Sequence, residues 1–371
     1  MTLSLFKRSI LGGLSLCRMD RIAGLHEANG IMRNTVERLG PVTTPEGQTN
    51  ELIYAPPSQS IGKAPPPVLV FFGGDVQDYP EVMTAHRDHG HYVKWSLTNS
   101  ASLLAEKFPS HHVFIVKPSR MERKTFSCYD NFVESNSVGA PSHNPGVMAT
   151  KHLAGLITEG LKKVASMNEE KLLSSHHHYQ ESCSGELESC KDDVNPQSMD
   201  ETAVKPASES EEPLQVDKAE SACDSDTNAD ALEYEEITLI GFSKGCVVLN
   251  QLIIEFHLLS VVEDMAAGSI KDFTSKIRNM YWLDGGHAGG SKTWITDHAV
   301  LKDIASLPNL GIHIHVSPYQ VQDDQRPWIR KECKAFYNVL RRNGANISYT
   351  LHCEHELPSL FSHFKVLDLF S

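Results

Sequence analysis

The chain reads as an α/β protein, a mainly parallel sheet covered by helices on both faces, and three observations predict it. Residues 68–72 (VLVFF) and 112–116 (HVFIV) are short, almost wholly apolar runs, as strands buried on both faces require. Runs of this kind alternate with stretches of helical periodicity, the rhythm of parallel strands joined by right-handed crossovers. Finally, 237–245 (ITLIGFSKG) carries an apolar strand directly into G-x-S-x-G, and the Leu/Ile/Val-rich segment 246–260 follows as a buried helix. With 371 residues the chain is long enough to build one large core.

In chain order, 51–54 (ELIY) predicts a short early strand, and a proline-rich linker at 64–67 leads into VLVFF. That strand ends in Gly73-Gly74-Asp75. A helix over 92–108 leads to HVFIV, and 147–166 has apolar residues at helical spacing, as a helix packed on the sheet would. After the strand–turn–helix at 237–260 come strands at 279–283 (NMYWL) and 311–316 (GIHIHV). An amphipathic helix at 327–342 stops at Asn343-Gly344, and a strand at 347–353 and a helix near 359–370 close the chain.

Charge divides the chain. The formal net charge is −13, yet residues 168–236 hold 20 Asp/Glu against 4 Lys, a net of −16. The other 27 acids and 30 bases nearly cancel, so the acidity belongs to a segment and not to the fold. That segment, 167–234, is rich in Ser, Glu and Asp and poor in large apolar residues. It is expected to be a disordered insertion, because it cannot bury enough surface to offset its ordering entropy. The expected layout is a leader and linker (1–30), the domain's first part (45–166), the insertion (167–234) and the second part (235–371).

The eight cysteines form no C-x-x-C pair, and a reduced compartment follows as the default. His176-His177-His178 lies in the polar segment and reads as a solvated tract, so neither a metal nor another cofactor is expected. No basic stripe interleaved with aromatics favours nucleic acid, and no stretch approaches 18 uninterrupted apolar residues. The first 19 residues hold three bases, no acid, and an apolar side formed by Leu3, Phe6, Ile10, Leu14 and Cys17. That is the pattern of a mitochondrial transit peptide.

G-x-S-x-G between a strand and a helix marks a nucleophile elbow, with Ser243 as the nucleophile. Gly241 and Gly245 are required because a side chain at either would strike neighbouring backbone. An α/β-hydrolase presents its triad in the order Ser, acid, His. The acids at strand ends are Asp284, in WLDGGHAGG, and Asp323 or Asp324, after GIHIHV. The usual arrangement of the fold favours Asp323, leaving Asp284 as the alternative; His287 in the glycine-rich loop can line the pocket. His355 and His363 follow the last strand and are both candidate bases, whereas His313 and His315, alternating along a strand, read as structural. The oxyanion hole is expected from backbone N–H groups of Lys244 and of Gly74-Asp75. A carboxylate at Asp75 is a departure from the glycine-rich loop of ordinary lipases.

The strings LIGFSKGCVVLNQL (239–252), FSCYDNFV (126–133), MYWLDGGH (280–287) and PYQV (318–321) resemble the vertebrate protein family encoded by chromosome 2 open reading frame 69. The resemblance implies a mitochondrial protein with a hydrolase-like fold, no assigned reaction and a link to respiratory function. A similar Pro-Ser…His-Phe ending in that family matches Pro358, Ser359, His363 and Phe364, which favours His363 over His355. Two functions are then open. One is a serine hydrolase acting on an ester, thioester or lipid-like acyl substrate; the other is a non-catalytic hydrolase-like scaffold binding a mitochondrial protein partner.

Overall fold

A computed structural model describes residues 35–60, 62, 64–184, 233–261 and 268–371. The expected leader and the greater part of the expected insertion lie outside the described residues.

The strands are β1 (Glu37–Thr43), β2 (Thr49–Ala55), β3 (Val68–Phe72), β4 (His112–Val116), β5 (Arg120–Glu122), β6 (Phe126–Cys128), β7 (Glu134–Ser135), β8 (Pro141–Ser142), β9 (Ile237–Phe242), β10 (Ile277–Leu283), β11 (Gly311–Val316) and β12 (Asn346–Leu351). The helices are α1 (Pro80–Thr84), α2 (Leu97–Lys107), α3 (Met148–Ser184), α4 (Cys246–Val261), α5 (Gly268–Ser275), α6 (His298–Ala305), α7 (Pro318–Val321), α8 (Pro327–Arg342) and α9 (Leu360–Leu369).

Eight strands form one sheet in the order β1-β2-β4-β3-β9-β10-β11-β12. Pairing is antiparallel on both sides of β2 and parallel from β4 to β12. This is the α/β-hydrolase fold. β1 begins ahead of the expected domain boundary at 45. It carries no apolar alternation because a bulge between Arg38 and Gly40 shifts its register, with Gly40 at φ 73°.

Both faces of the sheet are covered, which is why its central strands are almost wholly apolar. Val68, Val70 and Phe72 of β3 join a core with Leu153, Leu156, Val248, Leu252 and Phe336 from α3, α4 and α8. Leu69 and Phe71 of the same strand join a second core with Leu97, Leu104, Phe364 and Leu367 from α2 and α9. Each such side chain contributes about 1.5–3 kcal/mol on leaving water. The segment Ser243–Val261 is long and apolar enough to cross a membrane by composition. Most of it is nevertheless buried, as the central helix of this core.

α3 runs on to Ser184, well into the segment expected to be a disordered insertion. Residues 168–171 are exposed there, and Lys171 reaches Glu37 of β1. Glu, Lys and Leu propagate a helix already nucleated by its buried first turns, although the sequence offers no apolar stripe to reveal it.

Candidate active site

Three strand ends meet at one edge of the sheet, and each leads into a non-glycine residue with positive φ. These are Val76 after β3 (75°), Ser243 after β9 (53°) and Asp284 after β10 (48°). Left-handed backbone costs about 1–3 kcal/mol at such residues and persists only where the surroundings impose it. At Ser243 the imposition is visible. A Cβ on Gly245 would lie 2.0 Å from the Phe72 carbonyl oxygen, and one on Gly241 would lie 2.9 Å from Cys246 Cα. Both glycines of the motif are therefore steric requirements of the turn. Gly74 is a third, since a Cβ there would sit 2.6 Å from Ser243 Cβ. Ser243 is 8% exposed, and among the described residues its hydroxyl has no hydrogen-bond partner.

The histidine and the acid are brought together. Leu283 is level with Phe242 across β10 and β9, so Asp284 stands at the same height as Ser243. The Asp284 carboxylate is fully buried and accepts three hydrogen bonds. Ser317 N–H donates to Oδ1 at 2.7 Å, the Ser317 hydroxyl to Oδ2 at 2.5 Å, and His363 Nδ1 to Oδ2 at 2.7 Å. Because an ionised carboxylate only accepts, Nδ1 of His363 carries the proton and Nε2 is left as the acceptor. The capping box of Ser359 and Ser362 fixes the first turn of α9, which carries His363. The imidazole stacks on Phe242, the residue before the serine, with ring centroids 4.6 Å apart, and packs against Tyr319 at 4.8 Å.

The expectation that Asp323 holds the histidine is not met. Its carboxylate accepts from Arg326 Nε at 2.7 Å and from Gln325 N–H at 2.8 Å, and the guanidinium holds its pKa below the usual carboxylate range. Arg326 in turn donates to the Tyr319 carbonyl and to Gln320 Oε1, so Asp323 steadies the turn behind His363 from a distance. Asp324 and His355 are exposed, without partners among the described residues. Asp284 is the acid because it directly follows β10, the strand beside β9, and its Oδ2 lies 2.7 Å from His363 Nδ1, whereas Asp323 is taken up by Arg326.

Of the expected oxyanion donors, Gly74 is engaged elsewhere: its N–H donates to Gln77 Oε1 at 2.8 Å. Buried Gln77 also donates to the Trp95 carbonyl, which locks this loop. The N–H groups of Asp75 and Lys244 have no such partner among the described residues; Lys244 stands in the first turn after the elbow, where helical N–H groups lack a preceding carbonyl. The Asp75 carboxylate is turned aside to Ser127 and to Lys244 Nζ. His287 is 7% exposed; its Nε2 donates to the Lys292 carbonyl and its Nδ1 accepts from Gly289 N–H, and burial holds its basicity below normal. Both nitrogens are thus used structurally. His313 and His315 are also structural: His313 bonds Ser348 and Asn279, and His315 bonds His352.

Ser317, Gln77, Ser127 and Tyr129 went unread in the sequence. Ser317 directly follows the apolar strand β11, and that position was its one available signal. Among the described residues no group of acidic, His and Cys side chains is placed to hold a metal.

A family model named C2orf69 matches residues 38–346. The human mitochondrial protein C2orf69 is 38% identical over 331 residues, spanning 88% of this chain and 80% of the relative. The mouse homologue is 36% identical over 344 residues, spanning 93% and 87%. Among solved structures, esterase Est22 aligns with a TM-score of 0.39 at 11% identity, over 91% of this chain and 76% of its own. A putative dienelactone hydrolase from Klebsiella pneumoniae subsp. pneumoniae aligns at 0.34 and 11%, over 86% and 87%. Sequence likeness across most of both chains shows that this protein belongs to the C2orf69 family, whose curated relatives in human and mouse are named as mitochondrial proteins.

Proposed function

We propose that this protein is a serine hydrolase acting on an ester, thioester or lipid-like acyl substrate, with Ser243, His363 and Asp284 as its triad. The observation that carries this reading is the buried Asp284–His363 hydrogen bond, formed level with a serine held at positive φ. Asp284 fixes the tautomer in which His363 Nε2 accepts a proton. Ser243 Oγ then bonds to the substrate's carbonyl carbon while His363 takes its proton. The oxyanion is received by the N–H groups of Lys244 and Asp75. His363 returns the proton to the departing alcohol or thiol as its bond to the acyl carbon breaks. Water, activated by the same histidine, releases the acid and restores Ser243.

The reading places this chemistry in the mitochondrial matrix, reached through the basic leader, in support of respiratory-chain function. A second reading, a scaffold that binds a mitochondrial protein partner, is favoured by one observation. Among the described residues, Ser243 makes no hydrogen bond to His363. A fluorophosphonate separates the two, because phosphonylation requires an exposed hydroxyl, a base and an oxyanion hole together. Wild-type protein labelled at Ser243, with Ser243→Ala silent, supports the hydrolase; folded wild-type protein that does not label leaves the scaffold.

A further inference from the structure

We propose that the Asp75–Lys244 ion pair is a positioning latch that sets the spacing of the two oxyanion amides and pins a roof, the two small hairpins β5–β6 and β7–β8, to the loops that flank Ser243. The proposal rests on the hydrolase reading only in its first part; the pinning of the roof stands apart from it.

Lys244 lies immediately after the nucleophile, yet its side chain is wholly buried, while that of Asp75 is 25% exposed. Lys244 Nζ is 3.2 Å from Asp75 Oδ1 and donates to the Val138 carbonyl at 2.8 Å. The same Asp75 oxygen accepts from Ser127 N–H at 2.9 Å and from the Ser127 hydroxyl at 3.1 Å. Ser127 and Val138 belong to the two small hairpins β5–β6 and β7–β8, which the long sheet does not include. Further ties join the same parts. Val76 N–H donates to the Thr125 carbonyl at 2.7 Å, and the buried Tyr129 hydroxyl donates to the Gly73 carbonyl at 2.9 Å. Gly139, at φ 72°, lets the roof lie this close, since a Cβ there would be 2.4 Å from the Ser127 carbonyl oxygen and 3.2 Å from Lys244 Nζ.

One ion pair thus joins the loop after β3, the elbow after β9 and both hairpins. Its two members are the residues whose backbone N–H groups are assigned to the oxyanion. A buried ammonium with no counter-charge is unfavourable, so Asp75 is the partner that a lysine at this position needs. A free carboxylate in this loop would repel an anionic intermediate. Here its negative charge is neutralised by Lys244 and taken up by the Ser127 N–H and hydroxyl.

The test is a double-mutant cycle of Asp75→Asn and Lys244→Met on the full chain, read by two methods. The first is saturation kinetics of fluorophosphonate labelling, in which Ser243 Oγ bonds to phosphorus, fluoride leaves and His363 takes the proton. Each single variant is expected to lower the maximal labelling rate about 10- to 100-fold with half-saturation changed less than threefold, and the double variant to be no slower than the worse single. The second is amide hydrogen exchange. In Lys244→Met the N–H groups of Val76 and Ser127 are expected to exchange at least tenfold faster, with those of β9 unchanged. If Asp75→Asn, which strands a buried ammonium, does not fold, the double variant and Lys244→Met carry the comparison. Multiplicative effects on labelling, or a loss expressed only in half-saturation, would overturn the positioning role. Unchanged exchange in the roof would overturn the latch itself. If wild-type protein does not label, the hydrolase reading falls with the oxyanion role, and exchange alone decides whether the pair pins the roof.

Discussion

Replacing Asp284 by Asn is the most discriminating perturbation of this site, because it removes a charge without removing volume. The wild-type carboxylate accepts from Ser317 twice and from His363 Nδ1. An amide can keep Oδ1 as acceptor for the Ser317 N–H, but its NH2 then faces His363. The imidazole must turn its unprotonated Nδ1 to that donor, which leaves the proton on Nε2, where it cannot accept one from serine. In the serine-protease triad the corresponding trap lowers turnover about 10^4-fold, equivalent to roughly 5.5 kcal/mol of barrier. The same substitution exchanges charge-assisted hydrogen bonds for weaker ones in a fully buried position, at a cost of about 2–4 kcal/mol in stability. The variant should therefore fold with a lowered melting midpoint and label with fluorophosphonate about four orders of magnitude more slowly. Asp323→Asn is the control. Its partly exposed pair with Arg326 stabilises by less than about 1 kcal/mol, and labelling should change less than threefold. Wild-type labelling in Asp284→Asn together with its loss in Asp323→Asn would refute the assignment of the acid.

Two other outcomes follow from the packing. Gly245→Ala should yield no folded protein in a soluble-expression and melting assay, since its Cβ would stand 2.0 Å from a backbone oxygen and the cost exceeds the ~1–3 kcal/mol of ordinary overpacking. Stability should also fall as pH drops from about 6.5 to 4. Burial lowers His152, fully buried, and His315, 4% exposed, from 6.5 to about 4, so the unfolded chain binds more protons than the folded one across that window. Each of these histidines contributes on the order of 2–3 kcal/mol, present above the window and lost on passing down through it. Thermal midpoints measured at half-unit steps should be flat above pH 7 and fall steeply below 6; a midpoint that rises on acidification would contradict the burial of these rings.

The sequence by itself determined the sheet's central strands, the elbow and the histidine-bearing helix. VLVFF is apolar throughout, and ITLIGF is so but for Thr238, because both of their faces are buried, and that shows in one dimension. Gly241 and Gly245 flank Ser243 because the turn has no room for a Cβ, a local constraint that leaves a local signature. The strand β1 and the far end of α3 left none: one is bulged, and the other is helical without an apolar stripe in its exposed part. Only the tertiary structure decided the rest of the site. Asp284 follows β10 and Asp323 lies a few residues beyond β11, and the choice between them is made by which carboxylate meets His363, 79 positions after Asp284, and which meets Arg326. Lys244 beside the serine has no readable direction until Asp75, 169 positions earlier, is brought to 3.2 Å from it. Sheet pairing and side-chain burial are set between segments distant in sequence, and a pattern read along the chain records only what neighbouring residues impose on one another.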